Sequence, residues 1–181
     1  GNPDIIGGNT GTNLQFKASL EKPMEVFVTD IDNNGRIDPL GCYDIQGKRY
    51  PIASRDELLE QVTPMRKKFV YYKDYADATV DNILSKPALK NAKHLICETL
   101  KTSVLINDGK LHFTIKELPS EAQFSKVNGI IAEDLDNDGK RDLLLAGNFY
   151  PYNVRLGRND ASLGVFMKGE KNQFTPKPPS V

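Results

Sequence analysis

Two acidic phrases hold the strongest chemistry in this sequence. Asp30-x-Asp32-x-Asn34-Gly35-x-x-Asp38 returns 104 positions later as Asp134-x-Asp136-x-Asp138-Gly139-x-x-Asp142. Oxygen-bearing side chains at the first, third and fifth positions, with Gly at the sixth, wrap a chain around a hard cation such as Ca2+. The seventh residues, Arg36 and Lys140, add a backbone carbonyl each. An EF-hand needs Glu at the twelfth position, where Gly41 and Leu145 stand, and its flanks are helical. The flanks here are strand-like, so the EF-hand is rejected. Asp at the ninth position closes the coordination within a strand-to-strand turn. Clustered carboxylates repel one another, and a cation relieves that repulsion. The expected role of Ca2+ is therefore that of a staple. The second loop offers four carboxylates and the first three plus the Asn34 amide, so ligand charge predicts tighter binding at the second.

Other chemistry is sparse. No G-x-S-x-G, P-loop or H-E-x-x-H phrase occurs, and His94 and His112 are the only histidines. No catalytic residue is assigned, and the rival reading, a glycan-active hydrolase, would need paired carboxylates outside the loops. Cys42 and Cys97 exclude a disulfide-rich scaffold; they could pair once, and read more simply as two buried thiols. Arg66-Lys67-Lys68 reads as a solvated helix face. Tyr71, Tyr72 and Tyr75 offer glycan-stacking surface only if they are not core or rim. With 24 basic and 24 acidic residues the chain has no net charge, which argues against nucleic acid as a partner. No apolar run is long enough to span a membrane, and no signal peptide opens the sequence.

Elements must hold these loops, and their pattern repeats. Met24–Val28 and Gly129–Ala132 are short β-branched runs that read as strands. Ile5-Ile6-Gly7-Gly8-Asn9 echoes Leu144-Leu145-Ala146-Gly147-Asn148, and Leu105–Phe113 resembles Phe166–Phe174. Asn107-Asp108-Gly109 is a hairpin signal between Val104–Ile106 and Leu111–Phe113. Four antiparallel strands per unit is the grammar of a β-propeller blade. The expected fold is mainly β: about two blades with an α-helical insert in the first. Residues 1–22 are assigned to the tail of a preceding blade, 23–53 and 101–119 to the first blade, 54–100 to the insert and 120–181 to the second blade. Within the insert, Ser54 and Glu57 form a capping box. Leu58, Val62, Met65, Phe69 and Tyr72 share a helical face that Pro64 interrupts, so one helix should end near Val62 and another start at Pro64 with Thr63 as cap. Thr79–Leu84 and Ala88–Leu95 read as further short helices.

The loops, with the flanking Asp-Leu-Leu-Leu-Ala-Gly-Asn, resemble FG-GAP or VCBS repeats, which build integrin-like propellers. The wider chain resembles exported VCBS proteins of the ASPIC/UnbV type of Bacteroidetes-like bacteria. Gly8–Asn13, Asp30–Pro39, Tyr50–Leu59, Glu121–Ser125, Gly147–Tyr150 and Asp160–Ser162 carry that resemblance. It implies a seven-bladed propeller, export to the periplasm or cell surface, Ca2+ in the two loops and no established catalysis. Two blades instead of seven imply a fragment, with Gly1 as a tag remnant and open apolar blade faces that drive self-association into a homo-oligomer. The expected function is a non-enzymatic binding or scaffold module for a protein or glycan ligand, the alternative being a glycan-active hydrolase or its carbohydrate-binding accessory module.

Overall fold

Runs that alternate apolar and polar side chains can bury one face by pairing into sheets, and several strands of this chain do so. A computed structural model describes residues 2–151, 153–170 and 173–178. Gly1 and the last residues assigned to the second blade, 179–181, lie outside that range. The protein is mainly β, 34% strand against 19% helix, in antiparallel sheets of three and four strands.

In chain order the elements are β1 (Ile5–Gly7), β2 (Met24–Thr29), β3 (Asp38–Ile45), β4 (Lys48–Pro51), α1 (Arg55–Gln61), a 3-10 turn (Thr63–Lys67), α2 (Tyr72–Ala76), α3 (Val80–Ile83), α4 (Lys86–Asn91) and β5 (Lys93–Cys97). Then come β6 (Ser103–Asn107), β7 (Phe113–Glu117), a 3-10 turn (Ser120–Gln123), β8 (Gly129–Glu133), β9 (Asp142–Ala146), a 3-10 turn (Val154–Leu156), β10 (Val165–Glu170) and β11 (Gln173–Lys177). The chain divides into two units: Phe16–Thr99, and Gly1–Gln15 together with Leu100–Val181.

The unit Phe16–Thr99 is a sheet in the order β4-β3-β2-β5 with the helices on its inner face. Phe27, Leu40 and Cys42 point inward and pack with Leu58, Leu59, Val62, Phe69, Val80, Ile83 and Leu84. Each fully buried Leu or Phe there contributes about 1.5–3 kcal/mol of transfer free energy. The capping box at α1 forms as expected: Glu57 N–H donates to the Ser54 hydroxyl, and the Glu57 carboxylate accepts from Ser54 N–H. At Pro64 the chain makes a 3-10 turn, with Val62 rather than Thr63 at the cap. α3 matches the expected helix, with Thr79 as its cap.

Two expectations for this region are corrected. The helix expected at Ala88–Leu95 stops at Asn91, where Ala92 turns extended, and Lys93–Cys97 becomes β5. The open edge of β2 offers backbone groups that pairing satisfies, through Phe27 opposite His94 and Glu25 opposite Ile96. The first blade expected from 23–53 and 101–119 is likewise not one sheet, because β5 supplies the fourth strand beside β2 while β6 and β7 pair with β1. Residues 1–22, expected to be the tail of an earlier blade, thus supply a strand to the 101–119 hairpin.

The other unit holds the sheets β1-β6-β7 and β11-β10-β9-β8. Their inward faces share one core of Val104, Leu118, Ala122, Leu143, Leu145 and Met167, with Ile6, Val127, Ile130 and Phe174 packed against it. Strand registers correspond in the two sheets. Ile5 and Ile6 face Leu105 and Val104, as Leu144 and Leu145 face Phe166 and Val165. The Asp4 carboxylate accepts from Asn107 N–H at 2.9 Å, and that of Asp142 from Gly169 N–H at 2.8 Å. The hairpin at Asn107–Gly109 is wider than a two-residue turn: β7 begins only at Phe113, and Asp108 N–H donates to the His112 carbonyl. Buried Gln123 ties this unit together, donating to the Thr102 and Leu118 carbonyls while accepting from Thr102 N–H.

Candidate metal centres

Each acidic phrase lies between two paired strands, β2 and β3 in one unit and β8 and β9 in the other. Both loops bend in the same way. Asn33 and Gly35 have φ of 59° and 83°, and Asn137 and Gly139 have 61° and 82°. Gly at the sixth position takes this left-handed backbone without a Cβ penalty, and Asn tolerates it better than most residues.

The first carboxylate organises each turn. Asp30 accepts from the N–H groups of Asn34 at 3.0 Å and Gly35 at 2.7 Å. Asp134 accepts from those of Asp138 at 3.1 Å and Gly139 at 2.9 Å. The fifth side chain accepts from the seventh amide, Arg36 N–H to Asn34 and Lys140 N–H to Asp138. The ninth carboxylate reaches back across the loop mouth: Asp38 accepts from Ile31 N–H at 3.0 Å and Asp142 from Leu135 N–H at 3.1 Å. These backbone donors fix side-chain oxygens that would otherwise point to solvent.

What the loops gather differs. Asp30, Asp32 and Asp38 each present a carboxylate oxygen, and these oxygens lie within 4.8 Å of one another. In the second loop the corresponding group is Asp134, Asp136 and Asp138. Asp142 is fully buried, and its two oxygens are taken by Leu135 N–H and Gly169 N–H. It closes the loop against β10. An all-oxygen donor set suits a hard cation such as Ca2+ or Mg2+ and disfavours the softer metals. The first loop passes a further test of fit: Asp32 Oδ1 is buried and has no hydrogen-bond partner in the protein. Such an atom is costly unless something pairs with it.

The second loop already has a positive group. Lys168 of β10 places its ammonium on Asp136 Oδ2 and, at 3.0 Å, on Asp138 Oδ2. Lys140 Nζ stands 3.6 Å from the latter. The hydrogen bond from Lys168 is the leading cause that holds the Asp138 carboxyl below the usual carboxylate range. The same contacts, Asp136 first, push the Lys168 ammonium above its ordinary value. Nothing in the linear sequence marks Lys168, because only the β9–β10 pairing brings it beside a loop some thirty residues earlier.

Cys42 is buried and Cys97 exposed, and both are free thiols. The expectation of two buried thiols therefore holds for Cys42 alone. Tyr71 and Tyr72 are exposed; Tyr72 donates to Asp56 and lies under Arg55, while Tyr75 packs on Phe69 and donates to the Ala53 carbonyl. A cavity of about 480 Å³ in the two-sheet unit is lined by Val104, Ile106, Leu118 and Phe174, with Asp4, Glu117 and Glu170 at its wall. Glu117 pairs with Lys101. A hydrogen bond from Gln173 is the leading cause that holds Glu170 below its usual range, the reverse of what a general acid needs. No helix among the described residues is long and apolar enough to cross a membrane. No protein-family profile, curated protein or solved structure matches the chain.

Proposed function

We propose that this chain is a non-enzymatic, calcium-binding repeat module of an exported protein, built from β-propeller blades of the FG-GAP/VCBS, ASPIC/UnbV-like type. The supporting observation is one loop architecture made twice: equivalent residues have positive φ, equivalent carboxylates accept equivalent amides, and three carboxylates converge in each. Matching strand registers in β1-β6 and β9-β10 support a repeated blade. In that reading, Phe16–Thr99 is a self-contained insertion after the first blade strand, not a helical decoration inside a blade.

Asp30, Asp32, Asn34, Asp38 and the Arg36 carbonyl would hold the cation in the first loop. Asp134, Asp136, Asp138 and the Lys140 carbonyl would do so in the second, with Asp142 as the closing carboxylate. A bound Ca2+ supplies charge neutralisation, and the loops then hold adjacent strands at fixed spacing. Binding surface for a protein or glycan partner falls to the loops and to the exposed face of the helical unit, on the cell surface or in the periplasm. The carboxylates that line the cavity have amide, ammonium or side-chain amide partners, which favours scaffold over hydrolase.

Thermal unfolding tests this reading. A ligand at a hundred times its dissociation constant stabilises by about 2.7 kcal/mol. For each occupied site that corresponds to a rise of roughly 5–10 °C in Tm for a chain of this size. Saturating Ca2+ after chelation should give such a rise, Mg2+ a smaller one, and Asp30→Ala combined with Asp134→Ala none. A melt indifferent to Ca2+ would reduce both loops to acidic turns.

A further inference from the structure

We infer that Lys168 is a built-in counter-cation of the second acidic loop, and that the first loop is consequently the tighter divalent-cation site. This rests on the proposed calcium-binding reading and reverses the ranking that carboxylate count alone gives. The two loops share their backbone and differ in what meets the third-position carboxylate. In the second, the Lys168 ammonium bridges Asp136 and Asp138, and a divalent cation must displace it. In the first, Asp32 Oδ1 is buried without a partner, and no ion pair reaches Asp30, Asp32 or Asp38 among the described residues.

The difference follows from the sheets. β10 runs beside β9 with Met167 opposite Leu143, and Gly169 N–H is bonded to Asp142, so the intervening Lys168 side chain is delivered to the loop. On the corresponding side of β3 stands β4, whose pairing covers Cys42–Ile45 and ends four residues beyond Asp38. No strand there carries an ammonium to the first loop. Lys168 is partly withdrawn from water, its side chain 28% exposed, and bonds two carboxylates at once, which makes it a stronger competitor than a freely solvated lysine.

The test is a Ca2+ titration of the whole chain followed by NMR at the Gly35 and Gly139 amides. Each amide is bonded to the first carboxylate of its own loop and therefore reports on that loop alone. In the wild-type chain, Gly35 should reach its midpoint at lower Ca2+ than Gly139. Lys168→Met keeps the aliphatic stem and removes the charge; it should move the Gly139 midpoint to roughly two- to fivefold lower Ca2+, the scale of one paired surface charge, and leave Gly35 in place. Lys168→Arg, which keeps the charge, should leave Gly139 the weaker site. A Gly139 midpoint at or below that of Gly35 in the wild type, or one that Lys168→Met does not lower, would overturn the inference. Silence of both amides in every variant would instead bring down the calcium reading itself, and this inference with it.

Discussion

The two cysteines show how one residue type takes different chemistry from its surroundings. Cys42 sits on the inner face of β3, and burial is the main cause that pushes its thiol up to about 12, with the Glu25 carboxylate adding and Arg49 opposing. Thiolate, not thiol, is the nucleophile, so Cys42 should be inert to a disulfide reagent near neutral pH. Cys97, exposed on the edge strand β5, is within reach of solvent. Titration of the native chain should therefore count one fast thiol, and the unfolded chain two. Fast reaction of both in the native state would contradict the buried placement of Cys42. Asp32 and Lys168 teach the same lesson within the loops. Identical spacing in sequence leaves one third-position carboxylate with a buried, unpartnered oxygen and gives the other an ammonium.

At the scale of elements, the two-sheet unit is tied by buried polar groups as well as by its apolar core. Gln123 is 5% exposed and satisfies Thr102 N–H and two carbonyls from a single side chain. Gln123→Ala strands those groups, and should cost about 1–3 kcal/mol in urea unfolding, against a few tenths for a solvent-facing Gln. A loss below about half a kcal/mol would mean that water replaces the amide. Much of this level was legible in the sequence. The strands that flank both acidic phrases, the capping box at Ser54 and the helix at Val80–Ile83 follow from local pattern, because short-range rules govern turns, caps and strand periodicity. The shared bend of the two acidic loops was legible for the same reason. Strand partnership was not: β1 with β6, and β2 with β5, join segments some seventy to one hundred residues apart, and no local signal encodes which open edge a strand will fill. Lys93–Cys97 shows the consequence, since its helix-like continuation from Ala88 yields to the unpaired edge of β2. Lys168 likewise meets its loop only through strand pairing, which no local pattern marks.

For the whole molecule, one contiguous unit, Phe16–Thr99, interrupts another, and each has its own hydrophobic core. Each also holds one acidic loop, so cation binding would couple to the folding of both. Cation binding by both loops is the central claim, and bound calcium measured at equilibrium tests it most directly. Dialysis of the chelated chain against Ca2+ in excess Mg2+ should leave one Ca2+ per loop, with the first loop filled at lower free Ca2+. Asp32→Ala should abolish the tighter class and Asp136→Ala the weaker one. Calcium that fails to stay with the chain, or that stays equally well after both substitutions, would contradict it.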